Sequence, residues 1–285
     1  PTLKFTYSTG TLDGNGNVFV EGYSNSTWGS PVRAYASGED TFTAKLDSNG
    51  VLQWNTFLGS NLDDQGYYIE VAGIDNIYVS GYSTASWGSP VLTYSAGNDA
   101  FVAKINGGGA LQWNTFLGGI DRESGRGIKV DSNENIYVTG YSKSTWGSPL
   151  VAYSAGNDAF VAKLNNDGAL LWNTFLGGSG DDVGKGLVVD TSGNIYINGS
   201  CNVSWGSPVV AYSAGNDAFV AKLNSSGTLL WNTFLGGNGD DIGDGIATDS
   251  DGNIYIDGSS NAAWDSPLRA YTSGNDVFVA RLNSD

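Results

Sequence analysis

Carboxylates stand close together at four places in the chain, Asp63 with Asp64, Asp121 with Glu123, Asp181 with Asp182 and Asp240 with Asp241. Two carboxyls whose surroundings push their pKa values apart divide acid and base roles in glycoside hydrolysis. Four similar loops supply four similar environments, however, and that argues against one active site. The stretch Gly177-Gly178-Ser179-Gly180-Asp181-Asp182 is similar to one turn of a calcium-binding β-helix, but those sites need stacked nonapeptides and this motif is solitary within its unit. The expected role of these acids is to bond backbone amides of a loop.

A second set of oxygens lies in Asp13-Gly-Asn-Gly-Asn17, Asp131-Ser-Asn-Glu-Asn135, Asp190-Thr-Ser-Gly-Asn194 and Asp249-Ser-Asp-Gly-Asn253. Alternating oxygen ligands are what calcium requires, and Asp249, Asp251 and Asn253 form the best copy. None has a distal bidentate Glu, and the second unit reads Gly73-Ile74-Asp75-Asn76 instead. A hairpin turn with Gly or Asn at positive φ accounts for the pattern, so no metal or cofactor is expected.

The third set is aromatic. Trp28, Trp87, Trp146, Trp205 and Trp264 are each followed by Gly or Asp and Ser-Pro, then by Tyr35, Tyr94, Tyr153, Tyr212 or Tyr271. Five Trp faces beside Asn, Asp and Ser could stack sugar rings. The competing reading, and the stronger one, is that each Trp plugs a gap under a long loop.

Other chemistry is excluded by composition. With no His, no Met and one Cys, the chain has no Ser-His-Asp triad, no Cys-His dyad, no His or paired-Cys metal site and no internal disulfide. Cys201, read against Tyr23, Tyr82 and Tyr141, is expected to fill a packed position. A net charge of -16 with 13 Lys and Arg disfavours nucleic acid and anionic membranes as partners, and serves solubility. No apolar run has the length of a membrane span. A start at Pro1 without a signal segment fits a processed mature protein. Sequons at Asn25, Asn198, Asn202 and Asn224 are at chance level in a chain this rich in Asn and Ser.

The elements that position these residues follow from a repeat. Ile-Tyr-Val-x-Gly or its variant begins at residues 18, 77, 136, 195 and 254, each step being 59 residues. In the fourth unit, Gly186–Asp190 and Ile195–Gly199 flank a turn and read as a hairpin. Asp217–Leu223 and Leu229–Gly236 flank Asn224-Ser225-Ser226-Gly227 and make a second. Strands such as Ala-Phe-Val-Ala are apolar on both faces, so the sheets must stack to be covered. The expectation is an all-β chain of one domain, residues 1–285, forming a five-bladed β-propeller of four-stranded antiparallel blades. Its units are about 7–58, 66–117, 125–176, 184–235, and 243–285 completed by 1–6. Pro1-Thr2-Leu3-Lys4-Phe5-Thr6 matches Gly227-Thr228-Leu229-Leu230-Trp231-Asn232, so the N-terminal strand is expected to close the last blade, with Leu3 and Phe5 meeting Phe278 and Val279 at the seam.

The motifs Gly-x-Gly-Ile/Leu at 125–128 and 184–187, Asn-Ile-Tyr-Val-x-Gly, Asp-Ala-Phe-Val-Ala-Lys-Leu at 158–164 and Leu-x-Trp-Asn-Thr-Phe-Leu-Gly-Gly at 170–178 resemble the SBBP-type β-propeller repeat. The resemblance covers essentially the whole chain and departs from the pattern in having Trp-Gly-Ser-Pro in the long connection. It implies an extracellular or surface-anchored bacterial or archaeal protein and brings no catalytic residues. The expected function is non-enzymatic: a structural or adhesive module contacting other surface proteins or copies of itself, with the N-terminal strand as a means of linkage. The alternative is a multivalent lectin binding glycans through the Trp-Gly-Ser-Pro loops.

Overall fold

The computed structural model describes residues 5–73 and 75–283, and the described chain is all β. The first sheet holds β1 (Phe5–Leu12), β2 (Val18–Ser24), β3 (Asp40–Leu46) and β4 (Leu52–Leu58). The second holds β5 (Asp64–Ala72), β6 (Asn76–Ser83), β7 (Asp99–Asn106) and β8 (Leu111–Leu117). The third holds β9 (Glu123–Val130), β10 (Ile136–Ser142), β11 (Asp158–Leu164) and β12 (Leu170–Leu176). The fourth holds β13 (Asp182–Val189), β14 (Ile195–Cys201), β15 (Asp217–Leu223) and β16 (Leu229–Leu235). The fifth holds β17 (Asp241–Thr248), β18 (Ile254–Ser260) and β19 (Asp276–Leu282). Strands follow chain order across each sheet, and the fifth has three of them among the described residues.

Local chemistry sets the hairpins. Asp190 Oδ1 accepts the amides of Ser192 and Asn194 at 2.9 and 2.8 Å, and its Oδ2 accepts Asn194 Nδ2 at 2.8 Å. The same bonds are made by Asp13, Asp131 and Asp249, so the turn consumes the oxygens that a cation would need. In the second hairpin Asn224 Oδ1 takes the amides of Ser226 and Thr228, both at 3.0 Å. Gly227 closes that turn at φ 83°, and a Cβ there would come within 2.9 Å of the Trp172 ring. Both facts call for glycine.

By its contacts the chain divides into two compact units, Pro1–Ile136 with Leu164–Leu171 and Tyr137–Lys163 with Trp172–Asp285. In the first, Phe19, Leu58, Ile69, Ile77, Val79, Phe101, Ile105 and Phe116 form one buried cluster between sheets. In the second, Tyr137, Val161, Leu187, Ile197, Phe219 and Phe234 do the same, and Ile254 and Ile256 of the fifth sheet pack on Tyr196 and Val220 of the fourth. Stacking on both faces explains why Ala218, Phe219, Val220 and Ala221 are all buried.

Two expectations are corrected. Phe5 and Thr6 do not complete the last sheet: they begin β1 and pair with Ser24 and Tyr23 of β2. The register shift between Tyr7 and Thr9 reproduces the one between Gly184 and Gly186, so β1 is an ordinary first strand and the match to Leu229–Asn232 is superficial. Leu3 lies outside the described residues. Cys201 is buried and fills a packed position, but it pairs with Asp217 as Ser24 pairs with Asp40 and Ser83 with Asp99. It therefore stands in a serine position and not a tyrosine one.

Candidate functional site

The loop between the second and third strands carries the aromatic set. In the second sheet Trp87 meets Phe101 and Phe116 edge-on at 5.5 and 6.0 Å, and Tyr94 meets Phe116 at 5.7 Å. Tyr94 Oη donates to loop carbonyls of Thr84 and Gly97 at 2.9 and 2.8 Å. The third and fourth sheets repeat the packing with Trp146, Tyr153, Trp205 and Tyr212. Trp87, Trp146 and Trp205 are 5, 6 and 7% exposed, so these three faces are not available for stacking a sugar. Burial under the loop is the physical reason: each indole is held between the Phe residues of two strands. Trp28 and Trp264 are half-buried, and Tyr35 and Tyr271 tie their loops in the same way as Tyr94.

Each fourth strand is clasped by that loop. Asn55, Asn114, Asn173 and Asn232 donate Nδ2 to the carbonyls of Trp28, Trp87, Trp146 and Trp205 at 2.9, 2.9, 3.0 and 2.9 Å. Their own carbonyls accept the amides of Val32, Val91, Leu150 and Val209 at 2.8, 2.8, 2.9 and 2.9 Å. The repeated Trp-Asn-Thr-Phe and Trp-Gly-Ser-Pro motifs are thus two halves of one internal clasp.

The carboxylates pair differently from their sequence order. Asp40, Asp99, Asp158 and Asp217, at the starts of the third strands, are buried beside Asp64, Glu123, Asp182 and Asp241, each partner lying 24 residues downstream, as in 182 − 158. A Cβ on Gly59 would lie 2.8 Å from Asp40 Oδ1 and 2.9 Å from Asp64 Oδ2, so the two carboxyls face one small gap. Burial, and then the neighbouring acid, push Asp40 up to about 7. Burial likewise raises Asp64 to about 6, Asp99 to about 6 and Asp182 to about 7 against hydrogen bonds that pull the other way. These groups also bond loop backbone: Gly178 N to Asp182 Oδ2 at 2.9 Å, Gly237 N to Asp241 Oδ2 at 2.9 Å and Ala36 N to Asp40 Oδ2 at 2.7 Å. Sequence reasoning missed the upstream member of each pair. Its signal was present, since an Asp opens each Asp-Ala-Phe-Val-Ala strand or its variant at the 59-residue step. Glu21 of β2 is a further missed group, fully buried with desolvation raising it well above the usual carboxylate range.

The fifth sheet departs from this pattern. Phe278 meets Trp264 edge-on at 5.3 Å, as Phe219 meets Trp205 at 5.4 Å. Beyond β19, however, no strand is paired among the described residues. A groove of about 710 Å³ runs along that edge, lined by Trp264, Leu268, Tyr271, Val277, Phe278 and Val279 among others. Val277 and Val279 are 81 and 74% exposed, whereas their counterparts Ala218 and Val220 are fully buried. Of the seam residues expected from sequence, Phe278 and Val279 lie on β19, which among the described residues pairs with β18 alone, and Phe5 belongs to β1.

Comparison with known proteins places these features. A "Beta-propeller repeat" family model, SBBP, matches residues 112–145, 171–204 and 230–263. An uncharacterized WD repeat-containing protein of Acanthamoeba polyphaga mimivirus is 26% identical, over 87% of this chain and 23% of that protein. The regulatory protein FlaEY of Caulobacter vibrioides is 26% identical, over 87% of this chain and 28% of that protein. The chain thus spans about a quarter of the length of these curated relatives. A solved luciferin-regenerating enzyme is 9% identical with a TM-score of 0.44, covering 88% of this chain and 83% of its own, a likeness too remote to bear on activity. Three matches to the repeat model, each running from the last strand of one sheet into the first hairpin of the next, show that this chain contains SBBP β-propeller repeats.

Proposed function

We propose that this chain is a non-enzymatic protein-contact module, acting outside the cell or at its surface. The observation that carries the reading is where the chemistry-bearing groups are used. The loop Trp and Tyr, the buried acids and the turn Asp residues are each repeated, and each is engaged in the same internal bonds from sheet to sheet. A unique reaction centre would need one copy whose groups are left available. Relatives named for WD repeats and for regulation are in keeping with contacts. The glycan-binding alternative loses three of its five platforms to burial.

Closure of the five sheets into one five-bladed ring is part of the proposal. A closed ring of 285 residues has a radius of gyration of about 19 Å. Small-angle scattering giving a clearly larger value would exclude it. The module reading is tested by cross-linking the intact chain to surface proteins and mapping the linked residues. The expected outcome is linkage to protein partners at one defined set of exposed residues. Linkage spread evenly over equivalent positions of all five sheets, or binding to glycans alone, would overturn it.

A further inference from the structure

We propose that Glu21 makes the packing of the first sheet on the second a proton-dependent latch, closed while its carboxyl is protonated and released when it ionises. The inference goes beyond the contact-module reading and does not depend on it.

The repeat shows what is unusual about this residue. A step of 59 residues from Glu21 leads to Ser80, Thr139, Asn198 and Asp257. Asn198 is bonded on both sides, its Oδ1 accepting the Gly186 amide and its Nδ2 donating to Gly245 O of the next sheet, both at 3.0 Å. Thr139 Oγ1 donates to Phe160 O at 2.8 Å. Asp257, the other acid in the series, is exposed. Glu21 is fully buried, and neither of its oxygens has a hydrogen-bond partner among the described residues. Its row across the sheet is Thr9, Glu21, Thr43 and Thr56, where the fourth sheet has Gly186, Asn198, Val220 and Thr233.

The carboxyl is set into an interface that lies within one compact unit. A Cβ on Gly66 of β5 would overlap Glu21 Oε1 and would come within 2.7 Å of Thr41 Cγ2, so the acid rests against bare backbone of the second sheet. Phe19, two residues before it on β2, joins Ile69, Ile77 and Val79 of the second sheet in one apolar cluster. Two hydrogen bonds cross at this level, Ser8 Oγ donating to Gly66 O at 2.8 Å and Thr41 Oγ1 to Asp64 O at 3.2 Å.

No neighbouring charge compensates an ionised Glu21. Its strand packs against β1, β3 and β5. On these, Asp40 and Asp64 accept the amides of Ala36 and Ser60, Lys45 Nζ lies over the Phe19 ring at 5.2 Å, and Glu70 pairs with Lys129 at 2.8 Å. The phenols are Tyr7, Tyr67 and Tyr68, with Tyr23 on β2 itself. Burial is the one cause that raises Glu21, and none of these groups contributes. A neutral acid can be held in such a place, whereas a carboxylate there lacks water, cation and donor, and that is far costlier. Ionisation therefore requires water to reach the carboxyl, which happens when β5 lifts from the first sheet at Gly66 and gives up the two crossing bonds. The closed state holds this proton more tightly than the open one, so closure is complete at low pH and is lost as pH rises through the closed-state value.

The test is hydrogen exchange of the intact chain, resolved by strand and corrected for its intrinsic pH dependence, at steps from about pH 5 to about pH 9. The expected result is that protection of β1, β2 and β5 falls roughly tenfold or more over that range while β13 and β14 keep theirs. Glu21→Gln, which preserves the shape and does not ionise, should retain the protection, and Asp257→Asn should behave as the wild type. Asp40 and Asp64 remain in the Glu21 variant, so their own titration is separated from its effect. If the Gln variant fails to fold, carbon NMR of the Glu21 carboxyl in the wild-type chain reads the same property. Titration well above the ordinary glutamate range, in step with the loss of protection, is expected; ordinary glutamate titration would overturn the proposal. So would protection of β1, β2 and β5 that does not change with pH, a loss equal in Glu21→Gln and wild type, or a loss that reaches β13 and β14 at the same pH.

Discussion

β15 and β19 differ little in sequence, Asp-Ala-Phe-Val-Ala-Lys-Leu against Asp-Val-Phe-Val-Ala-Arg-Leu, yet the first is buried almost throughout and the second is not. Val220 is fully buried and Val279 is 74% exposed. The difference is in neighbours: β15 has β16 on its edge and Ile254 and Ile256 packed on one face, while β19, among the described residues, is paired with β18 alone. Burial in this molecule is conferred by the next strand and the next sheet.

That contrast is open to mutation. The largest effect is expected at Phe234, in the clasp between Trp205 and Tyr212: Phe234→Ala should cost roughly 3–5 kcal/mol by chemical denaturation. Phe278→Ala, on the half-covered strand, should cost roughly half as much or less. Equal losses at the two positions would mean that the fifth sheet is as well packed as the fourth.

The acids provide a second contrast, read through pH. Asp182 is raised to about 7 by burial, with Asp158 and Asp181 adding to the effect, so the folded state holds its proton more tightly than the unfolded chain. Stability should therefore rise as pH falls from about 8 toward 5, by up to about 1.4 kcal/mol per pH unit for each such group while it titrates. Asp40, Asp64 and Asp99 act in the same direction. Asp276 of β19 is the opposite case, lowered by the Thr272 amide and hydroxyl, so its contribution is present above the unfolded value near 4 and lost below it. Asp182→Asn should flatten the rise between pH 8 and 5, whereas Asp276→Asn should leave that range unchanged and soften the loss in acid. Melting temperatures across pH measure both, and a fall in stability from pH 8 to 5 would contradict the assignment.

Smaller effects sharpen the comparison. Val220→Ala should destabilise by roughly 1–3 kcal/mol through its cavity, and Val279→Ala by no more than about 0.5 kcal/mol. Asn232→Ala, which leaves the Trp205 carbonyl without its partner, should cost about 1–2 kcal/mol, again read from denaturation curves.

Much of this was legible in the sequence. The 59-residue step, the two hairpins per unit and the apolar faces of Ala-Phe-Val-Ala gave the sheets and their order, because turn chemistry and strand patterning are local. The N-terminal strand was misread because Leu-Lys-Phe-Thr and Leu-Leu-Trp-Asn share a pattern that fits two places. Pairing of Phe5 with Ser24 is a register fact that no pattern of one strand contains. The acids bond loop amides as expected, but which of them stand together was misread for a similar reason. Asp181 and Asp182 are adjacent in sequence, but successive side chains point apart, and Asp158 arrives beside Asp182 only through the stacking of one sheet's edge on the next. The Trp residues were correctly suspected of being core, yet their Asn partners in the fourth strand went unnoticed until the clasp was seen.

The central claim is that neighbouring strands confer burial, β15 being paired on both edges and β19, among the described residues, with β18 alone. Hydrogen exchange of the intact chain, resolved to residues 217–223 and 276–282, tests it most directly. The account predicts slow exchange throughout β15 and faster exchange at alternate amides of β19. Protection of β19 equal to that of β15 would contradict it.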